Sequence, residues 1–292
     1  MQQQQYDIIV IGAGGVCSAL IPILAKYVFS PVFPHQVSSF VIADGDSYEE
    51  KNIERQFFPT ALTGMNKASA QIEKLKILYR HKADILYSFD EYVMPSNIHQ
   101  LIEGSNYIIL AGVDNHPCRL LLSQFVQQYG LQGSLLISGG NETTDGNVQI
   151  FGYDKGDMIG VPLEQRHPEI ATDTTDDRSK MSCQEMYEMK GGDQLMVANT
   201  TAAMLMYSLF WCYTTGKDLR DIIEVYFDIP MVSFRTVRKP RVVVEEPVAE
   251  VDEEAEVEIM SEDIMAALGS SMSVGNLSNP SSSVSVFPPQ SS

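Results

Sequence analysis

The chain has 292 residues, 44% of them hydrophobic, which is ample for a packed core in one large or two small domains. Its formal net charge of -18 is unevenly placed, with 28 acids against 19 bases in residues 1–240 and ten against one in 241–292, and an acidic surface without a basic stripe argues against nucleic acid as a partner. Four cysteines without a C-x-x-C pair point to a reducing compartment and to no structural zinc, and the start has no basic, apolar leader, so a cytoplasmic protein with no membrane segment is expected.

In chain order, Tyr6 to Ile11 is a β-branched run that Gly12-Ala13-Gly14-Gly15 turns into a helical pattern over Val16 to Tyr27. Glycine suits a tight turn where a phosphate approaches the backbone at a helix N-terminus. The dinucleotide fingerprint asks for a third glycine where Cys17 stands, and Cys17 is most simply a helix-packing residue. Residues 28–38, with two prolines, read as a loop, and Ser39 to Ala43 as a buried strand. Asp44 and Asp46 then fall at that strand's C-terminal end, where open parallel sheets bind ligands. Asp44 lies 29 residues past Gly15, against about 20 for the usual ribose-binding acid.

The stretch Asp44 to Lys67 mixes carboxylates with Arg55 and Lys67. Carboxylates suit ribose hydroxyls or a metal, and guanidinium and ammonium groups suit phosphates. The bland alternative is a solvated charged loop. A helix follows from Lys67 to Tyr79, a strand over Ala83 to Phe89, a short helix over Ile98 to Gly104, and a strand over Asn106 to Leu110 that leads to Asp114 and Asn115 on the same rim as Asp44. His116 to Tyr129 is helical, Ser134 to Ser138 a strand, and Gly146 to Tyr153 a further strand, antiparallel. This alternation predicts an α/β fold with a doubly wound, mostly parallel Rossmann-like sheet and an antiparallel extension. Residues 154–193 read as a long polar crossover loop containing Cys183, Gln194 to Thr214 as an apolar helix, and Ile222 to Phe227 and Val232 to Val237 as closing strands. The predicted domains are residues 1–240 and an acidic, serine-rich, disordered tail over 241–292.

With GAGG at 12–15, DGD at 44–46, NIERQ at 52–56, Lys67 and GVDN at 112–115, the chain resembles the ThiF/MoeB/ubiquitin-activating superfamily. Its short start, SCQE segment and acidic tail look most like the ThiF-family proteins of PRTRC plasmid systems. The resemblance implies an adenylyltransferase that uses ATP and Mg2+ on the C-terminal carboxylate of a ubiquitin-like β-grasp protein, and a homodimer. It implies a nucleotide site at Gly12, Gly14, Gly15, Asp44, Asp46, Asn52, Arg55, Gln56, Lys67, Asp114 and Asn115. Within it Asp44 is assigned to the ribose, Asn52, Arg55, Gln56 and Lys67 to the triphosphate, and Asp114 to magnesium. Cys183, beside Arg178 and Lys180, is the candidate acyl acceptor. A nicotinamide- or flavin-dependent oxidoreductase and a non-catalytic nucleotide-binding scaffold are the competing readings; the first gives Arg55, Gln56 and Lys67 no task.

Overall fold

A computed structural model of the chain describes residues 3–52, 56, 60–102, 104, 106–131, 133–172 and 196–240. The chain separates into two units, Met1–Pro240 and Arg241–Ser292. The second, where the disordered tail is expected, lies outside the described residues.

The first unit is built on strands β1 (Gln5–Ile11), β2 (Gln36–Ala43), β3 (Leu86–Phe89), β4 (Tyr107–Ala111), β5 (Ser134–Asn141), β6 (Asp145–Asp154), β7 (Asp157–Gly160), β8 (Ile222–Asp228) and β9 (Ser233–Arg238). They form one nine-stranded sheet in the order β3-β2-β1-β4-β5-β6-β8-β9, with β7 paired to β6. The pairs from β3 to β5 are parallel, and those from β5 to β9 are antiparallel. The fold class is therefore the doubly wound, mostly parallel sheet with an antiparallel extension that the alternation of elements predicts.

Alternation along the strands sorts the core into two layers. Ile8 and Val10 of β1, Ile108 and Leu110 of β4, and Leu135 and Ile137 of β5 face helices α1 (Gly15–Val28), α2 (Lys67–Leu78) and α7 (Met196–Thr214). Ile9, Ile11, Ile109 and Leu136 face α3 (Ile98–Leu101), α4 (His116–Tyr129), α5 (Leu163–Arg166) and α6 (Glu169–Thr172). A strand buried on both faces needs apolar side chains at successive positions, which is why β4 reads Tyr-Ile-Ile-Leu-Ala and is buried throughout. Helices α1 and α4, which follow β1 and β4, thus leave the sheet toward opposite faces, and β1 and β4 part at a topological switch point, where such sheets open a crevice beyond their strand ends.

Three local expectations are corrected. Strand β2 starts at Gln36, inside the expected loop, because Gln36 and Val37 pair with Gln5 and Tyr6 whatever their polarity. Arg80–Ile85 is a 3-10 segment and only Leu86–Phe89 is strand. The polar crossover region begins with ordered elements, β7, α5 and α6; residues 173–195 of it, Cys183 included, lie outside the described residues.

Candidate nucleotide site at the sheet rim

The rim is set by register. Ile11 lies opposite Ala43 on one side and Ala111 on the other, so the turns after β1, β2 and β4 emerge level with one another. Gly12 makes the first turn at φ +83°, in the left-handed region, and a Cβ there would lie 3.1 Å from both the Gly112 carbonyl and a Val113 methyl. Its N–H donates to the Ala43 carbonyl at 2.8 Å. Gly14 caps helix α1 from an extended conformation, and the space where its Cβ would stand is open. The first turn of α1 therefore presents backbone N–H groups without intrahelical partners toward that opening.

Cys17 fills the place of the third fingerprint glycine by packing on Gly112, where an added Cβ would stand 2.5 Å from its sulfur. Complete burial pushes its thiol up to about 12, so Cys17 is an inert packing residue, as the sequence suggests.

Asp44 ties the first turn to the second. Its Oδ2 accepts from the Ala13 N–H at 2.6 Å and its Oδ1 from the Asp46 N–H at 2.8 Å. The side chain keeps some exposure at the rim yet is crowded by protein on most sides. Desolvation therefore raises its pKa above the ordinary carboxylate range, against the pull of Lys67 and of the two N–H donors.

Lys67 opens helix α2, whose N-cap Asn66 accepts from Ser69 N–H at 3.1 Å and donates to the Asp44 carbonyl at 2.8 Å. An antiparallel bridge between Ser47 and Asn66, with Tyr48 and Met65 hydrogen-bonded at 2.9 Å, sews this helix start to the acidic turn. The Lys67 ammonium, 8% exposed, meets Asp46 Oδ2 at 2.9 Å.

Of the other predicted residues, Asn52 is buried and its side chain accepts from the Glu49 N–H at 3.0 Å. Gln56 is buried, with Oε1 lacking a hydrogen-bond partner among the described residues. Asp114 is exposed on the rim just beyond β4. Asn115 caps α4, accepting from Cys118 N–H at 2.8 Å, so half of its side chain is already committed to the helix. Arg55 lies outside the described residues. Burial pushes the Cys118 thiol up to about 12 and raises that of Cys212, which leaves neither a poised nucleophile.

Two features escape the sequence reading. Tyr92, on the loop after β3, lays its ring over Gly45 and donates its hydroxyl to Asp46 Oδ1. In the antiparallel half, Glu224 is fully buried and accepts from Arg166 at 2.8 Å and from Asn147, while His167 Nε2 stands 2.7 Å away.

A switch point, a glycine turn feeding a helix N-terminus, an acid after β2 and a buried lysine thus meet at one rim of a doubly wound α/β fold. The ThiF family profile matches residues 2–270, and the chain belongs to that family. Among solved structures, E. coli MccB with ATP is 15% identical, with 86% of this chain and 66% of that one covered and a TM-score of 0.54. E. coli MccB with AMPCPP and MccA is 14% identical, with 82% and 65% covered and a TM-score of 0.54. PaaA is 15% identical, with 81% and 64% covered and a TM-score of 0.53. These likenesses are of fold, and the chain spans about 65% of the length of the MccB and PaaA chains. No functionally curated protein matches the sequence significantly.

Proposed function

We propose that the protein is an adenylyltransferase that binds ATP at this rim and activates the C-terminal carboxylate of a ubiquitin-like β-grasp protein. The observation that carries the reading is the juxtaposition of Asp44 and Lys67 beside the open N-terminus of α1. An acid suited to a ribose and a cation suited to phosphates meet where backbone N–H groups already favour an anion. Family membership and a fold shared with MccB, which has been solved with ATP and with MccA, support it.

In this reading the turn at Gly12, Gly14 and Gly15 admits the phosphates, Asp44 holds the ribose, and Asn52, Arg55, Gln56 and Lys67 hold the triphosphate, with Asp46 and Asn115 shaping the site. The substrate carboxylate, ionised near neutral pH, forms a bond to the α-phosphorus while the bond to the β-phosphate oxygen breaks, giving acyl adenylate and pyrophosphate. No general base is needed. Lys67 and Arg55 stabilise the charge that passes to the leaving pyrophosphate.

Among the described residues no three His, Cys, Asp or Glu side chains converge into a metal cage. A nucleotide-bound magnesium ion would need only one or two carboxylates beside phosphate oxygens and water, and exposed Asp114 on the rim fits that demand. Bound there, Mg2+ would supply charge neutralisation on the phosphates.

Cys183 is proposed as an acyl acceptor after adenylation, and the PRTRC subgroup as the family branch. No described helix is long and apolar enough to cross a membrane; a cytoplasmic location is part of the proposal. So is a homodimer, for which α7 offers exposed Val197, Met204 and Trp211 on the side opposite its buried Ala202, Met206 and Phe210.

Calorimetric titration with Mg-ATP and with NAD, followed by ATP–pyrophosphate exchange, tests the reading. Saturable ATP binding without NAD binding is expected, and tight NAD binding without ATP heat would overturn it.

A further inference from the structure

The Lys67 ammonium is placed against the electrostatics of its own helix. It stands in the first turn of α2, where the positive end of the helix dipole disfavours a cation, and it is almost entirely removed from water. Asp46 compensates on both counts, through the ion pair and through its carbonyl, which accepts the Lys67 backbone N–H at 2.8 Å. A carboxylate on a free rotor would hold a four-carbon lysine loosely. Here the second carboxylate oxygen is occupied by the Tyr92 hydroxyl, so Oδ2 is left facing Lys67.

Tyr92 is itself held. Asn97, buried at the base of the loop, donates to the Tyr92 carbonyl at 3.0 Å and accepts from Met94 N–H at 2.8 Å. The ring rests on Gly45, where any Cβ would stand 2.7 Å from ring carbons, so the residue between the two acids has to be glycine for the tyrosine to close down.

We infer that Tyr92 and Asp46 are positioning residues for Lys67: a relay from the loop after β3 that fixes the ammonium for the triphosphate and makes no contact with the nucleoside. This rests on the ATP reading above and assigns Asp46 to the lysine and not to the ligand. An ammonium has three N–H donors, and the grip of Asp46 uses one, leaving two for phosphate oxygens. Tyr92, a half-exposed aromatic that the ThiF reading of the sequence leaves without a role, becomes part of the site.

The test is calorimetric titration of the full-length wild type, Tyr92→Phe and Asp46→Asn with Mg-ATP, Mg-tripolyphosphate and adenosine. Tyr92→Phe keeps the ring over Gly45 and removes only the hydroxyl, so folding is preserved. Asp46→Asn is expected to weaken ATP and tripolyphosphate by about tenfold and Tyr92→Phe by about threefold, the loss of one or part of one charge-assisted hydrogen bond, with adenosine unchanged. An equal loss for adenosine would place Asp46 and Tyr92 against the nucleoside and overturn the relay. Unchanged or tighter ATP binding in Asp46→Asn would overturn it too, the latter marking Asp46 as a competitor of the phosphates. Wild type that fails to bind ATP would sink the nucleotide reading and the relay with it, whereas wild-type binding with unresponsive variants sinks the relay alone.

Discussion

The two charged clusters of the sheet, one on the parallel rim and one inside the antiparallel half, handle a buried carboxylate in opposite ways. Burial works to raise the pKa of Glu224, yet the hydrogen bonds from His167 and Arg166 outweigh it and hold the carboxyl below its ordinary range. Asp44 keeps its pKa above the ordinary range although Lys67 and two backbone N–H groups pull it down. Glu224 is surrounded by Arg166, His167 and Asn147, with Tyr226 closing over the pair. That arrangement consumes its hydrogen-bonding capacity and ties α5 to β8, as a structural cluster should. Asp44 is held in place beside an opening while burial still disfavours its charge, a perturbation of the kind that clusters at functional sites and that agrees with the role proposed for it.

If the rim works and the other cluster only holds, the largest response comes from the rim. Lys67→Ala should lower ATP–pyrophosphate exchange by about 100-fold, the usual cost of removing one preorganised donor to transition-state charge. Its melting temperature should change little, since the Asp46 left behind is 25% exposed and regains water. A parallel collapse of stability and exchange would make the Lys67–Asp46 pair as structural as Glu224.

Glu224→Gln should do the reverse. Breaking a fully buried pair costs about 3–5 kcal/mol, but Arg166 is 35% exposed and screened by solvent, so about 2 kcal/mol is expected in urea denaturation. ATP affinity should stay at the wild-type value. Loss of ATP binding at intact stability would move the second cluster into the site.

A smaller effect follows from His167, whose pKa the Glu224 hydrogen bond raises against desolvation, with Glu169 at 2.8 Å adding to the rise. Tyr226 and Asn147 are the other polar groups within reach of it, and Arg166 shares its Glu224 partner. A raised histidine stabilises the fold fully below its unfolded value near 6.5 and loses that contribution as pH rises through the folded pKa. The stability gap between wild type and His167→Gln should therefore be wider at about pH 6 than at about pH 9. An equal gap at both would mean that the ring contributes by packing alone.

What the sequence discloses tracks how local the cause is. Four of the five parallel strands and the acidic rim are legible because each follows from an apolar run ending in glycine or acid, whereas β3, Leu-Tyr-Ser-Phe, has no such run and is read too long. Helix α2 is legible as a helical pattern after Lys67, whereas its Asn66 cap shows only in the structure. The Glu224 cluster is not legible, because its partners lie 58 and 57 residues away and meet only after β8 pairs with β6. Tyr92 is hidden for the same reason, 46 residues from Asp46 and joined to it through a loop. Strand β7 and helices α5 and α6 are too short and polar to show a period, and are stabilised by pairing with β6 and by burial of Leu163 and Ile170.

The smallest expected effect separates two glycines of one turn. Gly12→Ala meets a left-handed φ and a crowded wall, so its cost falls on folding. Gly14 has φ -77°, outside the left-handed region that favours glycine, and nothing stands within 4 Å of the missing Cβ. Gly14→Ala should therefore cost only about 0.5 kcal/mol, the difference between glycine and alanine as an N-cap. The new methyl would project into the open space at the start of α1, where backbone N–H groups are exposed to an anion. ATP should bind a few-fold more weakly while adenosine binds as before, read by titration beside a urea melt of each protein. If ATP affinity is untouched, the phosphates do not pass over Gly14, and the opening at the head of α1 belongs to something other than the nucleotide.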